Sequence, residues 1–180
     1  LYFLIRPMSG LKNVENFTWS TFANKILEKT LNFAEQNPDI KFIFKIKTPF
    51  DNETLEQQKK IKKKNLKNCK LIAGGSSGKL VINSKFVITF NSTAIFEGIA
   101  SRKQVVIPSY DEYKNEIDKY TVNLLKSENI LNPKNAIEYL EILNNLCKEK
   151  KKPDITISTS DKELLKKYMG NNDGKSSERL

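Results

Sequence analysis

Three observations predict an α/β domain built on a mostly parallel, doubly wound, five-stranded sheet with extra C-terminal helices. Short apolar strands alternate with helical stretches over the first 107 residues, in the order βαβαβαβαβ. The strand "IKFIFKIK" (residues 40–47) alternates with period two, whereas the stretch before it repeats near 3.6 residues. The last apolar runs are bounded by small polar residues or proline, as in "FVITFNSTAIFEGIASRKQVVIP" (residues 86–108). At 180 residues the chain is long enough for one real core, burying roughly 70% of its unfolded surface.

The elements follow in order. Leu1 to Ile5 reads as a strand, and Pro7, Ser9 and Gly10 as a loop. Residues 18–36 place Phe22, Ile26, Leu27, Phe33 and Ala34 on one helical face, and Asn37-Pro38-Asp39 ends that helix. The alternating strand stops at Thr48-Pro49, and Asn52 can cap a lysine-rich helix over 53–66. "KLIA" (70–73) is a short strand, and Gly74 to Gly78 turns the chain into a short helix over 79–83. A strand over 86–90, a helix over 92–101 and a strand over 104–107 complete the sheet; helices are expected over 112–126, 133–150 and 160–169. Short right-handed connections then give a Rossmann-like domain, in which ligands bind beyond the carboxyl ends of the strands.

Composition excludes some chemistry. Without a histidine, imidazole bases and histidine-ligated metals are impossible, and the two cysteines, Cys69 and Cys147, form no spacing motif; a reduced, cytoplasmic setting is the expectation. The net charge of +10 comes from 28 Lys and only 3 Arg. Arginine is the residue that forks onto phosphates and bases, so nucleic acid is not the expected partner. The densest cluster, "KKIKKKNLKNCK" (Lys59 to Lys70), lacks aromatics. It reads as a solvated helix face, or as a peripheral contact to acidic lipid at the inner face of a membrane.

Two glycine-rich stretches fail as phosphate loops. "AGGSSGKL" has Ala73 and Leu80 where a P-loop needs Gly and Ser or Thr, and "MGNNDGKS" has Met169 for the first Gly. The stretch after the fourth strand is more informative. Asn91 is a good N-cap, Ser92 and Thr93 offer hydroxyls and amides, and Glu97 lies one turn on, about 5–6 Å further in. That spacing fits phosphate at the helix start and ribose on the carboxylate. The same residues also fit a plain helix cap followed by a surface acid. Gly98 beside the acid permits close approach by a ligand or by a neighbouring strand.

"VITFNSTAIFEGIASRKQVVIPSY" resembles the donor-binding half of GT-B glycosyltransferases of bacterial capsule and surface-carbohydrate synthesis. Those enzymes carry a strand, N-S-[ST], a helix with Glu-Ala, and a G-[KR]-P-V-[IV] strand. "FIFKIKTP" resembles their strand ending in K-x-H-P, with Thr48 in place of the histidine, and the tail "LLKKYMGNNDGKSSERL" resembles their C-terminal end. The resemblance implies sugar transfer from a nucleotide-sugar substrate, without cofactor or metal, to a lipid-linked or polysaccharide acceptor. It implies that Asn91, Ser92, Thr93, Glu97, Lys47, Thr48 and Pro49 bind the donor, with Lys45 as a further candidate; the turn at Gly74, Gly75 and Ser76, read from its own residues as a turn and helix start or a ligand-facing loop, adds three more. The resemblance implies that the catalytic base comes from a preceding N-terminal domain, and the opening of the chain already inside a strand fits the expectation of such a domain. Residues 1–150 would then be the nucleotide-sugar domain, and 151–180 a helical tail packing on that preceding domain. A related enzyme of the same fold, such as a polyol-phosphate transferase or UDP-sugar epimerase, and a non-catalytic basic binding module are the alternatives.

Overall fold

The computed structural model describes residues 1–5, 18–47, 54–90, 92–110, 127–149 and 155–170. Its strands are β1 (Tyr2–Phe3), β2 (Phe42–Ile46), β3 (Cys69–Ala73), β4 (Phe86–Ile88), β5 (Gln104–Val106) and β6 (Ile130–Leu131). Its helices are α1 (Trp19–Gln36), α2 (Leu55–Lys64), α3 (Gly78–Asn83), α4 (Ala94–Ala100), α5 (Ala136–Lys148) and α6 (Thr159–Met169). The expected helix over 112–126 lies outside the described residues.

The sheet has six strands in the order β3-β2-β1-β4-β5-β6, and every pairing is parallel. This corrects the expected five. The missed strand, β6, is only Ile130–Leu131, wedged between Asn129 and Asn132-Pro133. Two residues carry no periodicity, so only pairing with β5 reveals it. The order is a Rossmann-like one, and it reverses at β1, which pairs with β2 on one side and β4 on the other.

The two sides of the sheet differ in their packing. Phe90 meets Trp19 and Phe22 of α1 at 5.2 and 5.1 Å between ring centroids, and Phe42 meets Phe33 at 6.2 Å. Phe42, Phe44, Ile46, Ile88 and Phe90 therefore face α1, since alternate strand residues share a face. Thr18 caps α1 by accepting from the Thr21 amide. Against this side α5 also packs, through a hydrogen bond between Thr30 and Tyr139 (2.7 Å) that satisfies both buried hydroxyls.

The opposite side is covered by α3 and α4. Gly98 of α4 lies so close to the sheet that a Cβ there would sit 2.6 Å from Val105 Cγ2. Of the two approaches that glycine could permit, the one made is strand against helix. The C-terminal helix α6 seats on α4, with Tyr168 stacked on Phe96 at 5.0 Å. Its start is tied down by Asp161, wholly buried, which accepts from the Ser158 amide (3.0 Å), Ser158 Oγ (2.9 Å), Asn129 Nδ2 (2.7 Å) and Ser127 Oγ. Burial pushes that carboxyl up, but these four donors outweigh it and hold it below the usual aspartate value.

No helix among the described residues is long and apolar enough to cross a membrane.

Candidate functional site

The site is built at the carboxyl ends of the strands, where the strand order reverses. On β2, strand alternation that puts Phe44 and Ile46 toward α1 puts Lys45 toward α3 and α4. Its side chain is 3% exposed. The Lys45 ammonium donates to the Ile46 carbonyl at 2.5 Å. The same carbonyl accepts from the Gly74 amide at 3.2 Å, which brings the β3–α3 turn alongside. Gly74 (φ 65°) and Gly75 (φ 69°) take the left-handed conformation that the turn needs and glycine adopts without strain. Ser76 is exposed, and Ser77 follows at the mouth of α3.

From α4 comes Glu97, half-buried. Its Oε2 accepts from Ser77 Oγ at 2.6 Å, which ties α3 to α4. Glu97 also reaches Lys45 electrostatically. Desolvation lowers the Lys45 pKa from its ordinary value, and the Glu97 charge partly restores it. The cluster thus holds a buried cation, an acid whose Oε1 has no hydrogen-bond partner among the described residues, and a small-residue turn with two glycines.

The residues leading α4 are arranged differently from expectation. The helix begins at Ala94 rather than Ser92, and Thr93 occupies the cap position with no side-chain cap bond. Ser92 Oγ accepts from the Ala94 amide at 3.3 Å, and the Ser92 carbonyl from Ile95 at 3.0 Å. The Thr93 carbonyl accepts from Phe96 (3.0 Å) and Glu97 (3.2 Å). The amides of Ala94 to Glu97 are therefore committed within the chain. What this corner offers a ligand is upstream of Ala94: the Ser92 and Thr93 hydroxyls and amides. Asn91, Thr48 and Pro49 lie outside the described residues. Lys47 is described and exposed, just past β2.

Of the expected site residues, then, Lys45 and Gly74 meet at the Ile46 carbonyl, and Glu97 joins them through Ser77 at the end of the same turn and through its charge on Lys45. Ser92 and Thr93 lead the helix that carries Glu97. Two polar groups of this face were not anticipated. Ser77 could have been suspected, because it ends a run of small residues at the carboxyl end of a strand. Thr89 follows β4 and is buried at 1% exposure; nothing in an apolar strand sequence distinguishes it from a packing residue.

Among the described residues, no group of three or more metal-ligating side chains comes together. No family model matches the chain, and no curated protein matches it.

Proposed function

We propose that the chain is the donor-binding half of a GT-B glycosyltransferase, which transfers sugar from a nucleotide sugar in surface or capsular polysaccharide synthesis. The observation that carries this reading is the convergence of Lys45, Glu97 and the Gly74–Ser77 turn at the carboxyl ends of the strands beside the reversal at β1. A doubly wound sheet receives nucleotides at that place. Glu97 accepts from the ribose hydroxyls through the oxygen that Ser77 leaves over. Ser92 and Thr93 hold a donor phosphate at the head of the same helix. The contribution to catalysis is positioning of the donor and stabilisation of the leaving phosphate. A base to activate the acceptor comes from a further domain.

The exposed lysines of α2 and the turn after it, among them Lys62, Lys63, Lys64 and Lys67, with Lys70 at the start of β3, lie away from this site and suit a contact with acidic lipid.

Calorimetric titration with AMP, CMP, GMP and UMP tests the reading. Saturable binding of at least one is expected. Absence of binding by all four would overturn it.

A further inference from the structure

Two buried polar groups on the α3/α4 side of the sheet have unmet hydrogen-bonding capacity. The Lys45 ammonium carries three donors, and the Ile46 carbonyl is its acceptor among the described residues. The Thr89 hydroxyl, buried at 1% exposure, has no partner among the described residues. The sheet places them in register. Phe3 is paired with Lys45, and Tyr2 with Ile88, so one step on Phe3 stands beside Thr89. Phe90 faces α1, as does Ile88, so Thr89 faces α4 along with Val87, which lies under Gly98. Lys45 and Thr89 thus lie on one face on either side of Phe3 of β1, the strand at which the order reverses, so a ligand that meets both sits over the half-buried Phe3 side chain. Glu97 and Ser77 reach into that face from the helices.

An unmet buried donor is a liability to the fold, and a buried cation with spare donors more so. An apolar pair of the same shape would pack here at no such penalty. The Tyr2 hydroxyl is also unpartnered, but it lies on the α1 side with Phe44, near Tyr139 and Tyr110.

We infer that Lys45 and Thr89 are ligand donors, whose ammonium and hydroxyl bind anionic oxygen of a phosphate ester seated against β1. This rests on the nucleotide reading given above and deepens it. The charge that meets the phosphate is the buried Lys45 rather than the exposed Lys47. A second donor comes from Thr89, the residue just after β4, where the sequence pattern suggested only packing. Glu97 then faces the hydroxyl-bearing part of the same ligand, so that cation and acid divide a phosphorylated sugar between them.

The test compares the parent chain with Lys45→Met, Thr89→Val and Lys62→Met, the last removing an equal charge from the exposed face of α2. Each is titrated with whichever nucleoside monophosphate the parent binds, and melted without ligand. Lys45→Met is expected to weaken binding roughly tenfold to a hundredfold, as a hydrogen bond to a charged group does. Thr89→Val is expected to weaken it about threefold to tenfold, while its melting temperature holds or rises by about 2–4 °C. Lys62→Met should bind like the parent. If the parent binds no nucleotide, the nucleotide reading fails and this inference with it. Parent-like binding by both Lys45→Met and Thr89→Val would overturn this inference alone. Should Lys45→Met not fold, Thr89→Val decides: a lower melting temperature with unchanged affinity makes the hydroxyl structural and overturns the inference.

Discussion

The two sides of the sheet are made of different material. Toward α1 lie aromatic rings in contact, Phe44 with Tyr2 at 5.4 Å and with Phe42 at 6.4 Å, and the polar pair Thr30–Tyr139 that satisfies itself. That side is covered by an 18-residue helix and a 13-residue helix. Toward α3 and α4 the covering helices are 6 and 7 residues long, and a buried cation, an acid and an unpartnered hydroxyl stand among valines. The contrast separates two tasks. The α1 side supplies most of the aromatic burial that holds the fold, although the Tyr2 hydroxyl there also lacks a partner among the described residues; the other side carries a buried cation and a buried hydroxyl that cost stability and, on the proposed reading, serve a ligand.

Substitutions can break or sharpen that division. The largest loss is expected on the α1 side. Phe44→Ala removes a ring with no exposed surface and should lower stability by about 3–5 kcal/mol, read from the urea midpoint. Next is Asp161→Ala, which strips α6 of its capping box and leaves Ser127 and Asn129 without their buried acceptor. The expected loss is about 2–4 kcal/mol. Its pH dependence has a definite sign. The folded Asp161 pKa lies below 3.8, so the carboxylate's contribution is fully present above that value and lost as pH falls through the folded one. The gap between parent and Asp161→Ala should be constant from pH 5 to pH 7 and narrow below pH 4, in the same urea assay.

Gly98→Ala comes third. Its Cβ would lie 2.6 Å from Val105 Cγ2, on a valine with no exposed surface, so overpacking of about 1–3 kcal/mol outweighs the gain in helix propensity of up to about 1 kcal/mol. Adding Val105→Ala should recover part of the loss if crowding is the cause. The smallest effect concerns Lys45. Burial lowers its folded pKa below 10.5, against the pull of the facing Glu97. Between the folded value and 10.5 the unfolded form of this lysine binds more protons, so its own contribution to stability rises with pH through that window, against the opposite trend of the buried Tyr2 and Tyr139, whose pKa values are raised, and it is read as the difference between parent and variant. The corresponding rise should be absent from Lys45→Met, checked by urea titrations at stepped alkaline pH.

Much of the α1 side was legible in the sequence, because burial there obeys periodicity. Phe22, Ile26, Leu27 and Ala34 fall on one helical face, and each is buried. The alternation of "IKFIFKIK" marked the strand but misplaces Lys45, since alternation suggests a wet side and both sides of this sheet are covered. β6 escaped because two residues have no period. At the site, Glu97 stood out as an acid on an apolar helix. Its partner Ser77 lies 20 residues earlier, and only the crossover from β3 to β4 brings it near. Thr89 is legible only as a contact that is missing, which no sequence pattern displays.

The central claim is that the polar side of the sheet binds a nucleotide, with Glu97 on its ribose. Calorimetric titration of the parent and Glu97→Gln chains, each with the bound nucleoside monophosphate and its 2′,3′-dideoxy form, tests it most directly. Glutamine keeps the shape and an acceptor but loses the charge. The account predicts that Glu97→Gln folds, binds the ribonucleotide weaker by about 1.5–3 kcal/mol, and matches the parent's weak affinity for the dideoxy form. Equal affinity of both chains for the ribonucleotide would contradict it, and would leave Glu97 as no more than the acceptor that ties Ser77 to α4.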